Sequence, residues 1–390
     1  METPSPGPEH EHFISWAKDQ LGVTIDGVTP TKLPGRGLGV LATKPLKQGD
    51  LLVSVPAKSL LTIESKHVKD VRLPKEATVH GRLAAYLTLT SAKCDAPHRI
   101  WESVWPKKEE FEAIMPMNWE ELQKELLPAH ANSLLEKQQA KFEVDWELLK
   151  DHLPDKDCRD LFTYYWMIVN TRTFYWDYPT TTRTGKQQVK RRKLDPDDCM
   201  ALCPFMEYFN HADEGCAVDH DLKGFTITCN REYNPGEEVF LSYGPHSNDF
   251  LLVEYGFILD TNKWDETKLD HIIIPKLSKT RKEALDDRGF LGNYTIDPSQ
   301  PCFRTQVVLR ALALPGNRWR AFADGFDEGA DEREGVDGRL VEILKQYERE
   351  VDKVNKQVED LSESDRRSVL QKRWGQIRNI VEDLLLEVER

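Results

Sequence analysis

Two short segments carry side chains suited to orienting a bound molecule by hydrogen bonds. Residues 204–211 read PFMEYFNH and end in Asn210 and His211, and residues 240–244 read FLSYG, with Tyr243 at the end of a predicted strand. A phenol stays neutral at pH 7 and can both donate and accept a hydrogen bond. Taken singly, an Asn–His pair is also typical of a core or loop, and a buried Tyr can donate to a backbone carbonyl. The segments are therefore candidates for a site, and other motifs must support them.

A third segment, GRGLG at residues 35–39, could bring backbone groups close to a ligand, because glycine has no Cβ atom. Its glycines lack the G-x-G-x-x-G spacing of a dinucleotide fingerprint, and Pro45 argues against a helix that opens there. A Rossmann oxidoreductase is therefore disfavoured. An ordinary turn is the alternative to a ligand-binding loop.

Thiols and imidazoles are grouped in one region and could in principle hold zinc. Only Cys199 and Cys203 approach the spacing of a zinc ribbon, and the other candidates stand apart in predicted strands. Buried free thiols are therefore favoured over a structural zinc site. The odd total of seven cysteines also indicates a reducing compartment rather than a disulfide framework. The group consists of Cys199, Cys203, Cys216 and Cys229 with His211 and His220.

Length and charge limit the classes of function. At 390 residues and 45.0 kDa the chain exceeds what one core usually supports, which predicts two domains or one domain with a large insertion. A hydrophobic content of 39% excludes a disordered chain. The formal net charge of −13 argues against a dedicated nucleic-acid binder and is compatible with a basic protein partner.

Targeting signals are sparse. The sequence has no run of eighteen apolar residues, and its start, METPSPGPEHEH, is unlike a signal peptide. We therefore predict a cytoplasmic or nuclear protein, or both, that does not contact a membrane. The basic run KRRK at residues 190–193 is either a nuclear localisation signal or a solvated loop, and the solvated loop is favoured because such runs often match by chance.

Hydrophobic periodicity predicts the elements that would position the three segments. A first helix contains Phe13 and Trp16 and ends near Gly22. Residues 33–56 predict a β-meander, followed by a mainly helical block. The remaining expectations are a helical block over 78–176, turns at 222–224 and 234–236, strands that end near Tyr243, and a helix over 247–257.

The C-terminal part of the chain predicts two long helices. Apolar residues alternate spacings of four and three from Leu340 to Leu361 and again from Leu370 to Val388. Between them, the segment Ser362–Asp365 is suited to ending one helix and capping the next. An antiparallel hairpin within one chain is therefore favoured over an intermolecular zipper. We predict a monomer.

The order and spacing of the motifs from residue 33 to residue 258 resemble those of SET-domain methyltransferases. The motifs are GRGLGV, PFMEYFNH, FLSYG, Ser247-Asn248 and EYGF. The class they resemble includes the Rubisco large-subunit methyltransferase and the actin-histidine methyltransferase. The resemblance implies an α+β fold, with a β-rich SET core that is split by a helical insert and followed by an all-helical C-terminal domain. The implied ranges are 13–260 for the SET domain, about 66–198 for its insert, and 261–390 for a substrate-binding helical domain.

The resemblance also implies a cofactor and the residues that bind it. The cofactor would be S-adenosyl-L-methionine, with no metal, because the zinc-bound cysteine clusters of other SET families are absent. Arg172 would approach the cofactor carboxylate, and Tyr243 would be catalytic. Glu207, an expected cofactor contact, stands where the family more often has Asp, and its side chain is longer by one methylene. The other expected contacts are the backbone of Arg36, Gly37 and Leu38, and the residues Asn210 and His211.

For the substrate, the resemblance implies a protein lysine in a narrow apolar channel lined by Leu241, Tyr255 and Phe257. Such a channel disfavours the charged ammonium form of lysine and so favours the neutral amine, which is the nucleophile. By the same resemblance, Phe174 lies where the histidine-specific branch has Asn, which favours a lysine stem over an imidazole. The expected partner is a basic non-histone or ribosomal-type protein, without direct nucleic-acid contact. Histidine methylation and a non-catalytic protein-binding module are the alternatives.

Overall fold

The computed structural model describes residues 5–33, 37–91, 93, 96, 98–154, 158–177, 199–330 and 332–389. The chain divides into two compact units. The first comprises Met1–Phe111 and Gln138–Pro245, and the second comprises Glu112–Lys137 and His246–Arg390. The predicted limits of the SET domain, its insert and the helical C-terminal domain are a separate matter from these compact units and stay predictions.

Most of the strands are short, and the strand pairs of each sheet are antiparallel. In the first unit a four-stranded sheet has the order β1-β4-β8-β7, while β2 pairs with β3 and β5 with β6; in the second unit β9 pairs with β10. The strands are β1 (Thr24–Ile25), β2 (Val28–Leu33), β3 (Gly37–Ala42), β4 (Leu51–Pro56), β5 (Thr173–Tyr175), β6 (Met200–Leu202), β7 (His211–Asp221), β8 (Gly224–Thr228), β9 (Thr267–Lys268) and β10 (Thr295–Ile296).

Helices make up most of the remaining regular structure. None of the helices within the described ranges combines the length and the apolarity needed to cross a lipid bilayer. The helices are α1 (Pro8–Leu21), α2 (Lys66–Lys69), α3 (Val79–Thr90), α4 (Arg99–Glu102), α5 (Lys108–Ile114), α6 (Glu121–Glu125), α7 (Ala129–Leu149), α8 (Arg159–Arg172), α9 (Asn248–Tyr255), α10 (Asp270–Ile273), α11 (Lys279–Asp286), α12 (Phe303–Ala313), α13 (Gly316–Ala323), α14 (Arg333–Glu359) and α15 (Asp365–Val388).

Several local expectations agree with the structure. Helix α1 ends where Gly22 adopts a left-handed conformation with a φ of 71°, which few other residues adopt without strain. The predicted turn at 222–224 connects β7 to β8, and the predicted helix over 247–257 corresponds to α9, which also ends at a left-handed glycine, Gly256. Glycine position and hydrophobic periodicity act over a few residues, so the sequence alone carries these features.

Two expectations about the strands are wrong. Residues 33–56 do form strands, but they do not form a meander: β3 pairs with β2, whereas β4 pairs with β1 and β8. The turn around Gly49, whose φ is 90°, therefore leads the chain from one sheet to another. The segment that leads to Tyr243 is not a regular strand either and makes only isolated bridges, including Leu41 with Glu238 and His211 with Leu241. Partner choice between strands depends on distant residues, which short-range patterns do not encode.

The second unit has its own hydrophobic core, to which α14 and α15 contribute most. The two helices pack against each other within one chain, as the hairpin prediction expects. The Ser364 hydroxyl accepts a hydrogen bond from the Arg367 backbone N–H and so caps the start of α15. Leu344, Leu370 and Leu384 are among the core residues that are fully buried.

A buried ionic network lies inside this core. Arg373 of α15 donates to Asp249 at 2.6 Å, to Asp265 at 2.6 Å and to the Glu266 carbonyl at 3.3 Å. His130 Nδ1 lies 3.3 Å from the second carboxylate oxygen of Asp249. Burial by itself would raise the pKa of Asp249, but the charge of Arg373 and the contact with His130 outweigh it and lower that pKa below its usual range. The network connects α15 to α9.

Candidate functional site

The approach of Tyr243 to the Asn–His pair is set by the backbone of residues 236–241. This backbone runs along β3, with hydrogen bonds from Gly236 N to Ala42 O and from Val239 N to Val40 O, both 2.8 Å long. It then crosses to residue 210, where Leu241 N donates to Asn210 O at 3.0 Å. The first unit therefore places β3, the Asn–His pair and the FLSYG segment side by side.

Tyr243 is held at three points. Its backbone N–H donates to His211 Nδ1 at 3.0 Å, its ring stacks on the His211 ring with centroids 5.0 Å apart, and its hydroxyl donates to the Phe209 carbonyl at 2.6 Å. Burial raises the pKa of Tyr243 to about 12, although the charge of Arg172 opposes this shift. The phenol is therefore neutral at pH 7. Because its proton is directed to Phe209, its oxygen can accept a hydrogen bond from another group.

Asn210 ties the glycine-rich loop to the rest of the site. Its Nδ2 donates to the Leu38 carbonyl at 3.0 Å and to Glu238 Oε1 at 2.8 Å. Gly39 leaves room for this contact, since a Cβ atom there would lie 2.8 Å from Asn210 Nδ2. Gly37 has a φ of 73° at the start of β3. Arg36 lies outside the described residues, so its predicted cofactor contact stays a prediction.

Arg172 and Glu207 form a polar pair of opposite charge. Arg172, the last residue of α8, donates from Nη1 to the Glu207 backbone carbonyl at 3.2 Å. Glu207 Oε1 accepts a hydrogen bond from the indole Nε1 of Trp101 on α4. The other two polar atoms, Arg172 Nε and Glu207 Oε2, are buried and have no hydrogen-bond partner within the described part of the chain. A guanidinium and a carboxylate with unsatisfied atoms can bind a ligand that carries both a negative and a positive group.

The protonation of Glu207 depends on its burial. Burial raises the pKa of Glu207 to about 7, while the Trp101 indole and the Arg172 charge act in the opposite direction. Glu207 in turn contributes to the raised pKa values of two buried neighbours, Cys203 and Tyr208. The carboxyl group therefore changes charge within the physiological range, unlike an ordinary glutamate.

The remaining candidates in the first unit are two apolar residues, Phe174 and Leu241. Phe174 on β5 is half-buried, and its ring centroid lies 6.0 Å from that of Phe225. Leu241 is fully buried. Both residues have a packing role, and their predicted contact with substrate stays a prediction.

Tyr255 and Phe257 belong to the second unit. Their ring centroids lie 6.2 Å apart, and Tyr255 is 6.4 Å from Phe250. Gly256 between them packs closely, since a Cβ atom there would meet Ile114 at 2.9 Å. Their predicted role in a lysine channel is likewise a prediction.

Sequence reasoning missed Trp101, Trp105 and Glu238. The tryptophans lie in a region for which the apolar pattern indicates burial only, and nothing near them indicates a polar partner. Glu238 follows a turn signal and reads as a solvated residue, but it accepts a hydrogen bond from Asn210. The hydrogen-bond partners of Trp101 and Glu238 are distant in sequence, so local patterns carry no signal for them.

The cysteine group contains one neighbouring pair, Cys216 and Cys229. Cys199, Cys203, Cys216 and Cys229 are buried and have free thiols. Within the ranges that the structure covers, no three Cys, His, Asp or Glu residues are grouped as a metal site would require. The basic run at 190–193 lies outside the described residues.

Two family models match the sequence. The SET domain model matches residues 37–244, which is more than half of the chain. A model described as the Ribosomal lysine N-methyltransferase 2 C-terminal domain matches residues 265–387. The two matches together cover most of both compact units.

Curated relatives and solved structures agree with these matches. Ribosomal lysine N-methyltransferase set11 of Schizosaccharomyces pombe is 26% identical over 372 residues, which cover 90% of this chain and 91% of that protein. The actin-histidine N-methyltransferase of Canis lupus familiaris is 22% identical over 67% of this chain and 45% of its own. A crystal structure of the SET domain of LSMT bound to lysine and AdoHcy has a TM-score of 0.67 at 16% identity, over 99% of this chain and 92% of that one. At 16% identity, the comparison with this crystal structure shows a shared fold.

Proposed function

This chain belongs to the SET-domain family, and we propose that it is a protein-lysine N-methyltransferase that uses S-adenosyl-L-methionine. The observation that carries the proposal is the position of Tyr243. Its neutral phenol donates a hydrogen bond to the Phe209 carbonyl, and its ring stacks on His211. The family membership agrees with the resemblance drawn from the sequence motifs. The name of the relative from Schizosaccharomyces pombe supports lysine as the target.

The residues of the first unit fit the proposed cofactor. Its amino-acid end carries an ammonium and a carboxylate, and the unsatisfied atoms of Glu207 and Arg172 have the complementary charges. Asn210, His211 and the backbone at Gly37 and Leu38 would hold the rest of the molecule. When bound, S-adenosylmethionine supplies an electrophilic methyl group on a sulfonium.

The chain's contribution to the reaction is to align the amine and keep it uncharged. Deprotonation of a lysine with a pKa of about 10.4 costs about 4.6 kcal/mol of free energy at pH 7. Apolar side chains such as Phe174 lower this cost because they solvate an ammonium poorly. The Tyr243 oxygen accepts an N–H of the neutral amine and so directs the nitrogen lone pair towards the methyl carbon.

Phe174 favours lysine over histidine within this family. A phenyl ring packs against the aliphatic stem of lysine but gives no hydrogen bond to an imidazole. Phe174 packs edge-on against Phe225, so one of its neighbours is a second apolar ring. Histidine methylation is the second candidate, since an actin-histidine methyltransferase is among the relatives.

The substrate class follows from charge and from the relatives. A net charge of −13 suits a basic protein, and ribosomal proteins are the basic substrates that the names of the relatives indicate. We infer a lysine on a ribosomal-type protein as the target, which the helical C-terminal part, 261–390, would help to bind.

Methyl transfer from labelled cofactor tests this proposal. Purified protein and tritiated S-adenosylmethionine are incubated with ribosomes and soluble proteins from cells that lack this protein, and the labelled residue is identified by mass spectrometry. We expect methyl-lysine in one or a few ribosomal proteins. Methyl-histidine as the product would replace the lysine assignment, and a failure of isothermal titration to detect cofactor binding would support a non-catalytic module.

Cofactor affinity should depend on pH through Glu207. With a pKa of about 7, its carboxyl is about one-tenth ionised at pH 6 and about three-quarters ionised at pH 7.5. Since the ionised form binds the ammonium, we expect the dissociation constant of S-adenosylmethionine to fall about eightfold over that interval. Calorimetric titration at the two pH values measures this dissociation constant. Glu207→Gln should bind weakly at both pH values, and an equally steep pH dependence in that variant would contradict the assignment.

A further inference from the structure

Helix α4 contributes a tryptophan to the polar pair of the first unit. The carboxylate of Glu207 ends a flexible side chain, so a fixed hydrogen-bond donor is needed to define its position. Trp101 supplies one, because its indole Nε1–H donates to Glu207 Oε1. The side chain of Trp101 is 2% exposed, so water competes little for this hydrogen bond.

The Trp101 ring is itself immobilised by aromatic neighbours. It stacks on Phe13 of α1 with centroids 6.5 Å apart and planes at 20°. It also packs edge-on against Trp105 at 5.7 Å. Both neighbours are buried, and Phe13 is in contact with Tyr208, the residue after Glu207. The direction of the indole N–H is therefore set by packing that includes the N-terminal helix.

One carboxylate oxygen of Glu207 thus accepts a hydrogen bond from Trp101, and the other can accept one from a ligand. Oε2 is buried and has no hydrogen-bond partner among the described residues, and the same holds for Arg172 Nε. A buried carboxylate oxygen without a partner is costly unless a ligand satisfies it. We propose that Trp101 is a positioning residue, which holds the Glu207 carboxylate so that Oε2 receives the ammonium group of the cofactor's amino-acid end. This inference rests on the proposed function.

The test is Trp101→Phe, which keeps an aromatic ring but removes the N–H. We expect the dissociation constant of S-adenosylmethionine to increase about tenfold, because a hydrogen bond to a charged group is lost. The pH at which binding is half-maximal should also rise, since the N–H stabilises the ionised carboxylate. The value of kcat at saturating cofactor and protein substrate should stay within about twofold, since Trp101 does not touch the reacting groups.

Trp119→Phe is the matched control. Trp119 is also buried, at 3% exposure, but its indole N–H has no hydrogen-bond partner within the described chain. We expect this variant to bind the cofactor as the unaltered protein does. Binding of 5′-methylthioadenosine, which lacks the amino-acid end, should be the same in the unaltered protein and in both variants.

The outcomes separate this inference from the proposed function. Unchanged cofactor affinity and an unchanged pH midpoint in Trp101→Phe would overturn the positioning role alone. Equal losses in Trp101→Phe and Trp119→Phe, or a parallel loss of methylthioadenosine binding, would reduce the effect to core packing and overturn it as well. If the unaltered protein binds no S-adenosylmethionine, the proposed function and this inference both fail.

Discussion

Replacing Tyr243 with phenylalanine should lower kcat for methyl transfer about 100-fold or more, while cofactor affinity changes less than about twofold. The hydroxyl donates to the Phe209 carbonyl at 2.6 Å, and this bond leaves the oxygen oriented to accept an amine N–H. Phenylalanine keeps the ring stack on His211 but cannot accept. Since the amine then loses its alignment, the rate falls without loss of cofactor contacts. Single-turnover methyl transfer with labelled cofactor measures the change.

Tyr233→Phe provides the comparison for this prediction. Tyr233 is also buried in the first unit, and its hydroxyl donates to Asn230 at 2.8 Å, so the same atom is removed away from the proposed catalytic groups. Its activity should be near that of the unaltered protein. Full activity in Tyr243→Phe would remove the phenol from the reaction. A loss of both activity and cofactor binding would assign it a structural role.

Arg373→Met should destabilise the protein by about 3–5 kcal/mol, because it leaves buried carboxylates without a counter-charge. Arg373 and Asp249 are both fully buried, and the guanidinium also donates to Asp265. Burial would lower the pKa of Arg373, but the two carboxylates outweigh burial and raise it, so the charge is permanent in the folded state. Urea unfolding followed by circular dichroism measures the loss.

The neighbouring residue supplies the control. Lys372 forms an ion pair with Asp260 at 2.5 Å, but both side chains are exposed. Lys372→Met should therefore change the free energy of unfolding by less than about 1 kcal/mol. A combined Arg373→Met and Asp249→Leu variant should regain part of the stability, since one unpaired carboxylate is removed. A loss in Arg373→Met no larger than that in Lys372→Met would contradict this account of the network.

The family and the fold class could be predicted from the sequence. Motif order along the chain implied a SET domain with an all-helical C-terminal part. The SET domain model confirms the domain, and the C-terminal part is mainly helical but also contains the short strands β9 and β10. The same holds for features that depend on neighbouring residues, such as the glycine that ends α1 and the serine that caps α15. Such features need only local backbone preferences and periodic burial, which a single sequence contains.

The arrangement of strands could not be predicted in the same way. Residues 33–56 have the composition of a meander, yet β3 and β4 belong to different sheets. The segment before Tyr243 has strand composition, but isolated bridges to β3 and to the Asn–His segment determine its path. Any apolar strand can pair with several others, and only the packing of the whole unit selects among them.

For the candidate site, the sequence by itself determined which side chains are present: a phenol, an Asn–His pair, an arginine and a glutamate in a set order. The tertiary structure alone decided what each side chain bonds to. Tyr243 donates to Phe209, Glu207 accepts from Trp101, and Arg373 pairs with Asp249. The physical reason is that hydrogen-bond direction and burial depend on atoms brought together from distant parts of the chain, and these contacts set both charge state and geometry.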